Sequence, residues 1–378
     1  MSFAYPDHVK SVVLIGFLLV VGAGALGQTS GASDTSLGQP DLRPLLERVR
    51  ARYALPSLGA VLVRGNQVIS SAVVGERAAG SGVTVTLADQ YQLGSLSKSF
   101  TATVMARLVE QGRLRWDTTL GQVLTDVPML EVYKAVTLEM LLSHTAGFPA
   151  DVKDETVYDW ALEPAKARAQ YLGIALNLEA AFPPGRTVAY SNVGYVIASL
   201  VAERVTNQPW DALVRQYILG PLGMNCGFGV IFAPMTNPHP HRLLFGRALP
   251  LLPEAGNGNS PVLNGADNLR CSIVDLGVYL GAHLGGELGQ DGIVKSASMK
   301  FLHRARQNAG QDIRTALGWF VFPDASIWHN GSNTVNYAEM MLVPSRNLAV
   351  GVVINAAGDA TVTEASSQVM EALLDLVR

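Results

Sequence analysis

The apolar and polar positions divide the chain into β-rich ends around a helical middle. Leu42, Leu45, Leu46 and Val49 fall at i, i+3, i+4 and i+7, which predicts a helix capped by Asp41, with Pro44 tolerated in its first turn. Two β-rich runs follow, Leu58 to Arg64 and Gln67 to Val74, and the Gly65-Asn66 link between them predicts a hairpin. From Ser95 to about Lys300 the pattern is mostly helical, broken by Pro/Gly-rich loops. The longest loop, Phe232 to Asn268, is of a length that carries either function or small elements of its own. Strands return at Ala316 to Val321, Ile327 to His329, Ala338 to Val343 and Leu348 to Asn355, the last two joined by a turn at Pro344 to Asn347. A closing helix carries Val369, Met370, Leu373, Leu374 and Val377 on one face, and Thr361 and Glu364 predict a capping box at its start. Strands this close in sequence pair antiparallel, because parallel pairing needs a long crossover. The expected class is α/β (α+β): an antiparallel sheet built from both chain termini and flanked by helices, with a large helical insertion over about 95–300.

Composition adds to this picture at the N-terminus. His8 and Lys10 precede an apolar run from Val12 through Gly27, with small residues at Ala23, Ala25 and Gly27 and a polar stretch from Gln28 to Gln39. The run is shorter than the roughly 20 residues of a spanning helix. It reads as a secretory signal ending near Ala25 or Gly27. That reading gives residues 1–27 as signal peptide and 28–378 as one domain, periplasmic or secreted, with no stable membrane anchor after cleavage. Of the 378 residues 48% are hydrophobic and 16% charged, enough for a large core. A net charge of −3 without any Lys/Arg run argues against a nucleic-acid partner. Cys226 and Cys271 are expected as two unpaired buried thiols, although an oxidising compartment would permit a bridge.

The candidate chemistry begins at Gly94-Ser95-Leu96-Ser97-Lys98, a strand end turning into a helix. Ser95 and Lys98, three residues apart, share one side of its first turn. A hydroxyl becomes a useful nucleophile when a neighbouring base takes its proton, and a desolvated amine can do so. Tyr190-Ser191-Asn192 stands at a loop-to-helix junction, where a tyrosine can relay a proton and an asparagine can serve the site or cap the helix. Two further stretches stand out, Leu142 to Gly147 (LSHTAG) and Trp328-His329-Asn330-Gly331-Ser332. His144 reads as fixing its loop. His239 and His241 lack a third ligand and read as a surface loop, so no metal is expected. Asp267 reads as a loop acid, Asp275 as a helix-start acid, and Trp319 and Trp328 as core or pocket wall. Glu110 lies too far along the Ser95 helix to reach the serine.

In their order and spacing, the Ser95–Lys98 and Tyr190–Asn192 motifs, the LSHTAG stretch and Pro221-Leu222-Gly223-Met224 resemble the serine β-lactamase and penicillin-binding-protein superfamily, in particular its class C β-lactamase-like branch. The resemblance implies an exported serine hydrolase that forms an acyl-enzyme on Ser95 and needs no cofactor. It implies that Lys98 and Tyr190 share the proton, that Asn192 binds a substrate amide and helps hold Lys98, and that the backbone amides of Ser95 and Ser332 form an oxyanion hole. His329, Asn330, Gly331 and Ser332 would line the substrate. The departure is His329, where most β-lactamases carry lysine; imidazole is mostly neutral at pH 7 and recognises a carboxylate less well. Val335-Asn336-Tyr337 also stands where a glycine-aromatic pair is commoner. The implied substrates are β-lactams, D-amino-acid peptides or related amides and esters. A carboxylesterase of the same fold, or a penicillin-binding sensor without turnover, is the alternative. Oligomeric state is not legible.

Overall fold

Apolar periodicity near the N-terminus produces helix α1 (Arg43–Arg52), which buries Leu46 and Val49, and Asp41 Oδ1 accepts from the Arg43 amide at its start. The computed structural model describes residues 40–159, 162–229, 236–244, 246–251, 260–358 and 360–377. The expected signal segment and about a third of the long 232–268 loop lie outside these residues. Next comes the expected hairpin, β1 (Ser57–Arg64) and β2 (Gln67–Gly75), turning at Gly65 with φ +60°. Short β3 (Tyr91–Gln92) leads through a 3₁₀ turn, Gly94–Leu96, into α2 (Ser97–Glu110).

Helix α2 is wrapped on nearly every side. Phe100, Val104, Met105 and Leu108 are fully buried, each contributing about 1.5–3 kcal/mol of apolar burial. Its neighbours are α3 (Asn192–Thr206) and α4 (Ile273–Glu287), and Tyr279 of α4 stacks on Phe100 with centroids 3.8 Å apart. Between these helices lie β4 (Gly227–Phe228), the hairpin β5 (His241–Leu244) with β6 (Arg247–Pro250), and β7 (Leu269–Cys271). The long loop therefore carries small elements of its own.

The C-terminal part supplies β8 (Asn308–Gly310), β9 (Ile313–Thr315), β10 (Phe320–Val321), β11 (Ile327–Ser332), β12 (Tyr337–Val343), β13 (Leu348–Ile354) and β14 (Ala356–Ala357), then α5 (Ala360–Asp375). The main sheet runs β2-β1-β13-β12-β11-β10-β9-β8, antiparallel throughout, with the N-terminal hairpin docked on β13. Both chain ends thus build one sheet, as the pattern predicts. One face packs on the helical region containing α2 and α4; the other is covered by α1 and α5.

Several local expectations change. The run Ala316 to Val321 is not one strand, because the Ala316 amide bonds back to Trp319 O and Gly318 (φ +78°) presses on α2. A Cβ at Gly318 would sit 2.8 Å from Ser99 Cα. Thr361 lies within α5, one residue past its first, so the predicted capping box does not mark the helix start. Cys226 and Cys271 are bonded to each other rather than free. The cause is the small sheet β3-β7-β4, which pairs Gly227 with Arg270 and sets the flanking cysteines 4.4 Å apart at Cα. A bridge closing a loop of this length stabilises by about 4 kcal/mol in the chain-entropy account. His241 is not a surface residue: it is fully buried, accepting from the Ala79 amide at Nε2 and bonding Asn355 O through Nδ1. Among the described residues no group of three or more His, Cys, Asp or Glu could hold a metal ion, and no helix is long and apolar enough to cross a membrane.

Candidate active site

Ser95 sits in the 3₁₀ turn ahead of α2, where Gly94 takes φ +55°. The Ser97 hydroxyl locks this turn, donating to Gly94 O at 2.8 Å and accepting from the Leu269 amide of β7 at 3.1 Å. Strand β11 passes very close. A Cβ on Gly94 would lie 2.6 Å from Ser332 N, and one on Gly331 would lie 2.0 Å from Leu93 O and 2.8 Å from Ser95 N. Both positions therefore require glycine, and the contact brings the backbone amides of Ser95 and Ser332 into one neighbourhood.

One turn on, Lys98 is fully buried, and its Nζ has three partners: Ser95 Oγ at 3.0 Å, Asn192 Oδ1 at 2.7 Å and Ala266 O at 2.9 Å. Burial pulls its pKa down to about 7, with Asp267 and Asp151 pulling the other way. A neutral amine has two N–H bonds and one lone pair. Asn192 and Ala266 accept the two N–H bonds, so the lone pair faces the Ser95 hydroxyl. Tyr190 OH lies 2.7 Å from the same Oγ, and Lys98 Nζ is 4.7 Å from the centre of the Tyr190 ring. Burial holds the Tyr190 phenol well above its ordinary range, opposed by its bond to Ser95, so it is a proton donor rather than a phenolate.

The junction before α3 sets these groups. Ser191 is the N-cap, accepting from the Gly194 amide at 3.1 Å, which leaves Asn192 free of capping duty. The Asn192 and Val193 amides bond to Ala150 O, and Ser191 Oγ donates to Pro149 O, tying the loop 149–151 to the helix start. Asn192 Nδ2 then donates to Asp151 Oδ1 at 2.8 Å, fixing the amide so that its oxygen meets Lys98. His144, at φ +60°, accepts from the Ser191 amide at Nδ1 and stacks on Tyr190 with centroids 4.5 Å apart. Its ring thus bears on the phenol and the helix junction, and it acts as a positioning residue for Tyr190.

On β11, side chains alternate. His329 and Gly331 face α2, while Trp328, Asn330 and Ser332 face the α5 side. The structure therefore does not bring the Asn330 side chain to Ser95; its Nδ2 bonds Tyr337 OH at 3.4 Å. Ser332 Oγ accepts from the Thr334 amide, so only the Ser332 backbone approaches the serine. His329 is fully buried, with Nδ1 on Asn330 O at 2.5 Å, which leaves Nε2 as an acceptor with no partner among the described residues. Burial, aided by Lys98, pushes its pKa down to about 3, so it carries no charge at neutral pH.

Sequence reasoning missed Ala266 O and Asp151. A carbonyl has no side-chain signature, and Asp151 is one exposed acid among several. Asp267 does sit in a loop, as expected, but buried and accepting from the Asn268 amide. At the start of α4 Asp275 Oδ2 accepts from the Ser272 hydroxyl while the Asp275 amide donates to that Ser272 Oγ as the N-cap bond, and Glu110 accepts from the Lys295 amide far from the serine.

A model of the Beta-lactamase family matches residues 42–374. Penicillin-binding protein 4 of Amycolatopsis lactamdurans is 26% identical over 297 residues, covering 73% of this chain and 74% of that protein. Penicillin-binding protein 4* of Bacillus subtilis is 30% identical over 137 residues, 36% of this chain and 29% of that protein. A putative D-alanyl-D-alanine carboxypeptidase of Escherichia coli O157:H7 is 26% identical over 210 residues, 52% of this chain and 48% of the relative. The matches thus span less than half the length of the last two. Among solved structures, the octameric penicillin-binding protein homologue from Pyrococcus abyssi superposes with a TM-score of 0.74 at 20% identity, over 88% of this chain and 77% of that one. That likeness is one of fold.

Proposed function

We propose, for a chain that belongs to the β-lactamase family, that it hydrolyses amide, lactam or ester substrates through an acyl-enzyme on Ser95. The observation that carries this reading is the set of three partners around Lys98 Nζ. Two fixed acceptors orient a desolvated amine so that its lone pair takes the Ser95 proton. The oxygen attacks the substrate carbonyl, and the developing oxyanion lies against the Ser95 and Ser332 amides. Losing one such donor typically costs about 3–4 kcal/mol in the transition state. Tyr190 gives its proton to the leaving group as the carbonyl–heteroatom bond breaks, and the Lys98 ammonium beside its ring restores it. Water repeats the sequence on the acyl-enzyme, with Lys98 again as base, and releases the acid.

His329 shapes the substrate range. A neutral imidazole whose unpaired nitrogen is an acceptor gives a substrate carboxylate no partner. This favours amide and ester carbonyls over carboxylate-anchored β-lactams, and it keeps the carboxylesterase reading in view. Export follows as part of the proposal: the 1–27 segment has signal character, and the Cys226–Cys271 bridge belongs to oxidising compartments. The test is a panel of nitrocefin, D-alanyl peptides and p-nitrophenyl acyl esters with the purified protein and its Ser95→Ala variant. Turnover of at least one class by the parent alone supports the proposal; equal rates in both proteins refute it.

A further inference from the structure

The Ser95 and Ser332 amides belong to separate parts of the chain, one in the turn after β3 and the other at the end of β11. Gly94 and Gly331 let the two segments touch, yet glycine leaves a backbone more conformational freedom than any other residue. Past Ser332 the chain turns through 333–336 into β12, where Tyr337 pairs with Ser332. Thr334 in this turn takes φ +71°, a left-handed conformation uncommon for a β-branched residue that persists only where its surroundings over-determine it. They do so here. Ser332 Oγ accepts from the Thr334 amide at 3.1 Å, and Asn333 Oδ1 accepts from the Asn336 amide at 2.9 Å and the Asn336 side chain at 3.2 Å. Val335 O accepts from the His241 amide of β5, and Asn333 and Asn336 are both buried.

The turn is closed through the oxygen of Asn333, and its nitrogen reaches elsewhere. Asn333 Nδ2 donates to Gln92 Oε1 at 2.7 Å. Half-buried Gln92 ends β3, three residues before Ser95, and its backbone pairs with Arg270 of β7. A long bond of 3.4 Å from Gln92 Nε2 to Gly229 O turns the amide oxygen towards Asn333. One short hydrogen bond thus ties the residue after the Ser332 amide to the strand that delivers the Ser95 amide. The turn itself has no need of it, since every bond that closes the turn is made by other atoms.

We propose that Gln92 and Asn333 are positioning residues that set the gap between the Ser95 and Ser332 amides. This rests on the acyl-enzyme reading and goes beyond it, because neither side chain touches the reacting atoms. When Ser95 Oγ bonds to the electrophilic centre and its proton passes to Lys98, negative charge gathers on the substrate oxygen. Two amides at a fixed separation meet that charge together; a loosened pair meets it with one donor out of place.

A fluorophosphonate and its fluorothiophosphonate analogue read this arrangement directly. With either probe a Ser95 Oγ–phosphorus bond forms, fluoride leaves and the serine proton goes to Lys98. The probes differ in the oxygen or sulfur that faces the two amides, and sulfur is the weaker acceptor. Labelling is followed by intact-protein mass spectrometry. Gln92→Leu removes the acceptor and should slow the oxygen probe about tenfold, less than the 10²–10³ lost with a whole donor. It should also cut the preference for oxygen over sulfur about fivefold, and slow labelling equally below and above pH 7, because Lys98 stays in place. Asn333→Asp keeps the oxygen that closes the turn, and Gln92 can turn its amide over to donate Nε2, giving up the bond to Gly229 O. That variant should label within about twofold of the parent. The inference is overturned by Gln92→Leu labelling at the parent rate, keeping the full oxygen preference, slowing on one side of pH 7 alone or losing its cooperative unfolding transition. Asn333→Asp as slow as Gln92→Leu overturns it too. When the parent is labelled at Ser95, only this inference falls; when it is not, the acyl-enzyme reading falls with it.

Discussion

Two buried polar clusters lie back to back across β11 and β12, and they are finished differently. On the α5 side, Glu339 is nearly inaccessible and receives Trp328 Nε1 at 2.7 Å, Ser366 Oγ at 2.6 Å and Tyr337 OH at 3.3 Å. Three donors from two strands and a helix surround one carboxylate, and Asn330 extends the set through Tyr337. On the α2 side, Lys98 is stripped of water with only neutral hydrogen-bond partners, and His329 Nε2 has none among the described residues. A buried carboxylate met by three donors fixes a structure; a buried amine that has hydrogen-bond partners but no carboxylate in contact loses proton affinity and remains available to react. The same strand serves both ends because its side chains alternate.

The largest effect that would break this contrast is loss of the amine. Lys98→Met should lower Ser95 acylation by on the order of 10³-fold or more, since the nucleophile loses its base. Thermal unfolding should still show one cooperative transition. Acylation at the parent rate would mean that the α2-side cluster is structural too.

Next comes the saturated cluster. Glu339→Ala strands the Trp328, Ser366 and Tyr337 donors and should cost about 3–5 kcal/mol in urea unfolding. Where the variant is folded, its acylation pH midpoint should match the parent's. A shifted midpoint would show that the two clusters are coupled.

The pH profile sharpens the comparison further. The Lys98 amine acts when neutral, so acylation should rise about tenfold per pH unit below 7 and level off above it. Burial disfavours the charged form of this group, so raising the pH populates the active species. His329 is uncharged well above pH 3, keeping only the Nδ1 proton it shares with Asn330 O, so His329→Gln should leave this midpoint in place while changing KM. A profile that is flat from pH 5 to 9 would remove Lys98 as the base. The smallest effect belongs to Tyr337→Phe, which removes two long hydrogen bonds, one to Glu339 and one from Asn330, and should cost about 1 kcal/mol in unfolding with acylation unaltered.

Much of this was legible in the sequence wherever a local pattern determines the outcome. The Gly65-Asn66 hairpin, the strands from 327 to 354 and the meeting of Ser95, Lys98, Tyr190 and Asn192 all accord with the pattern and the resemblance. The placement of Asn330 needed only the period-two rule, since a strand that turns His329 and Gly331 to the serine turns Asn330 away. Other features depend on contacts with no local trace. Ala266 O joins the site through a backbone turn, and the Cys226–Cys271 bridge depends on a three-stranded sheet whose strands are two or three residues long. Gly318 interrupts a run of strand formers because α2 occupies the space beneath it.

The central claim is that the residue 95 hydroxyl becomes covalently acylated. Peptide-mapping mass spectrometry after exposure to a fluorophosphonate and to a penicillin tests it most directly. The account predicts a single adduct on the peptide containing Ser95, absent from Ser95→Ala; an adduct on another residue, or one that persists in Ser95→Ala, would contradict it.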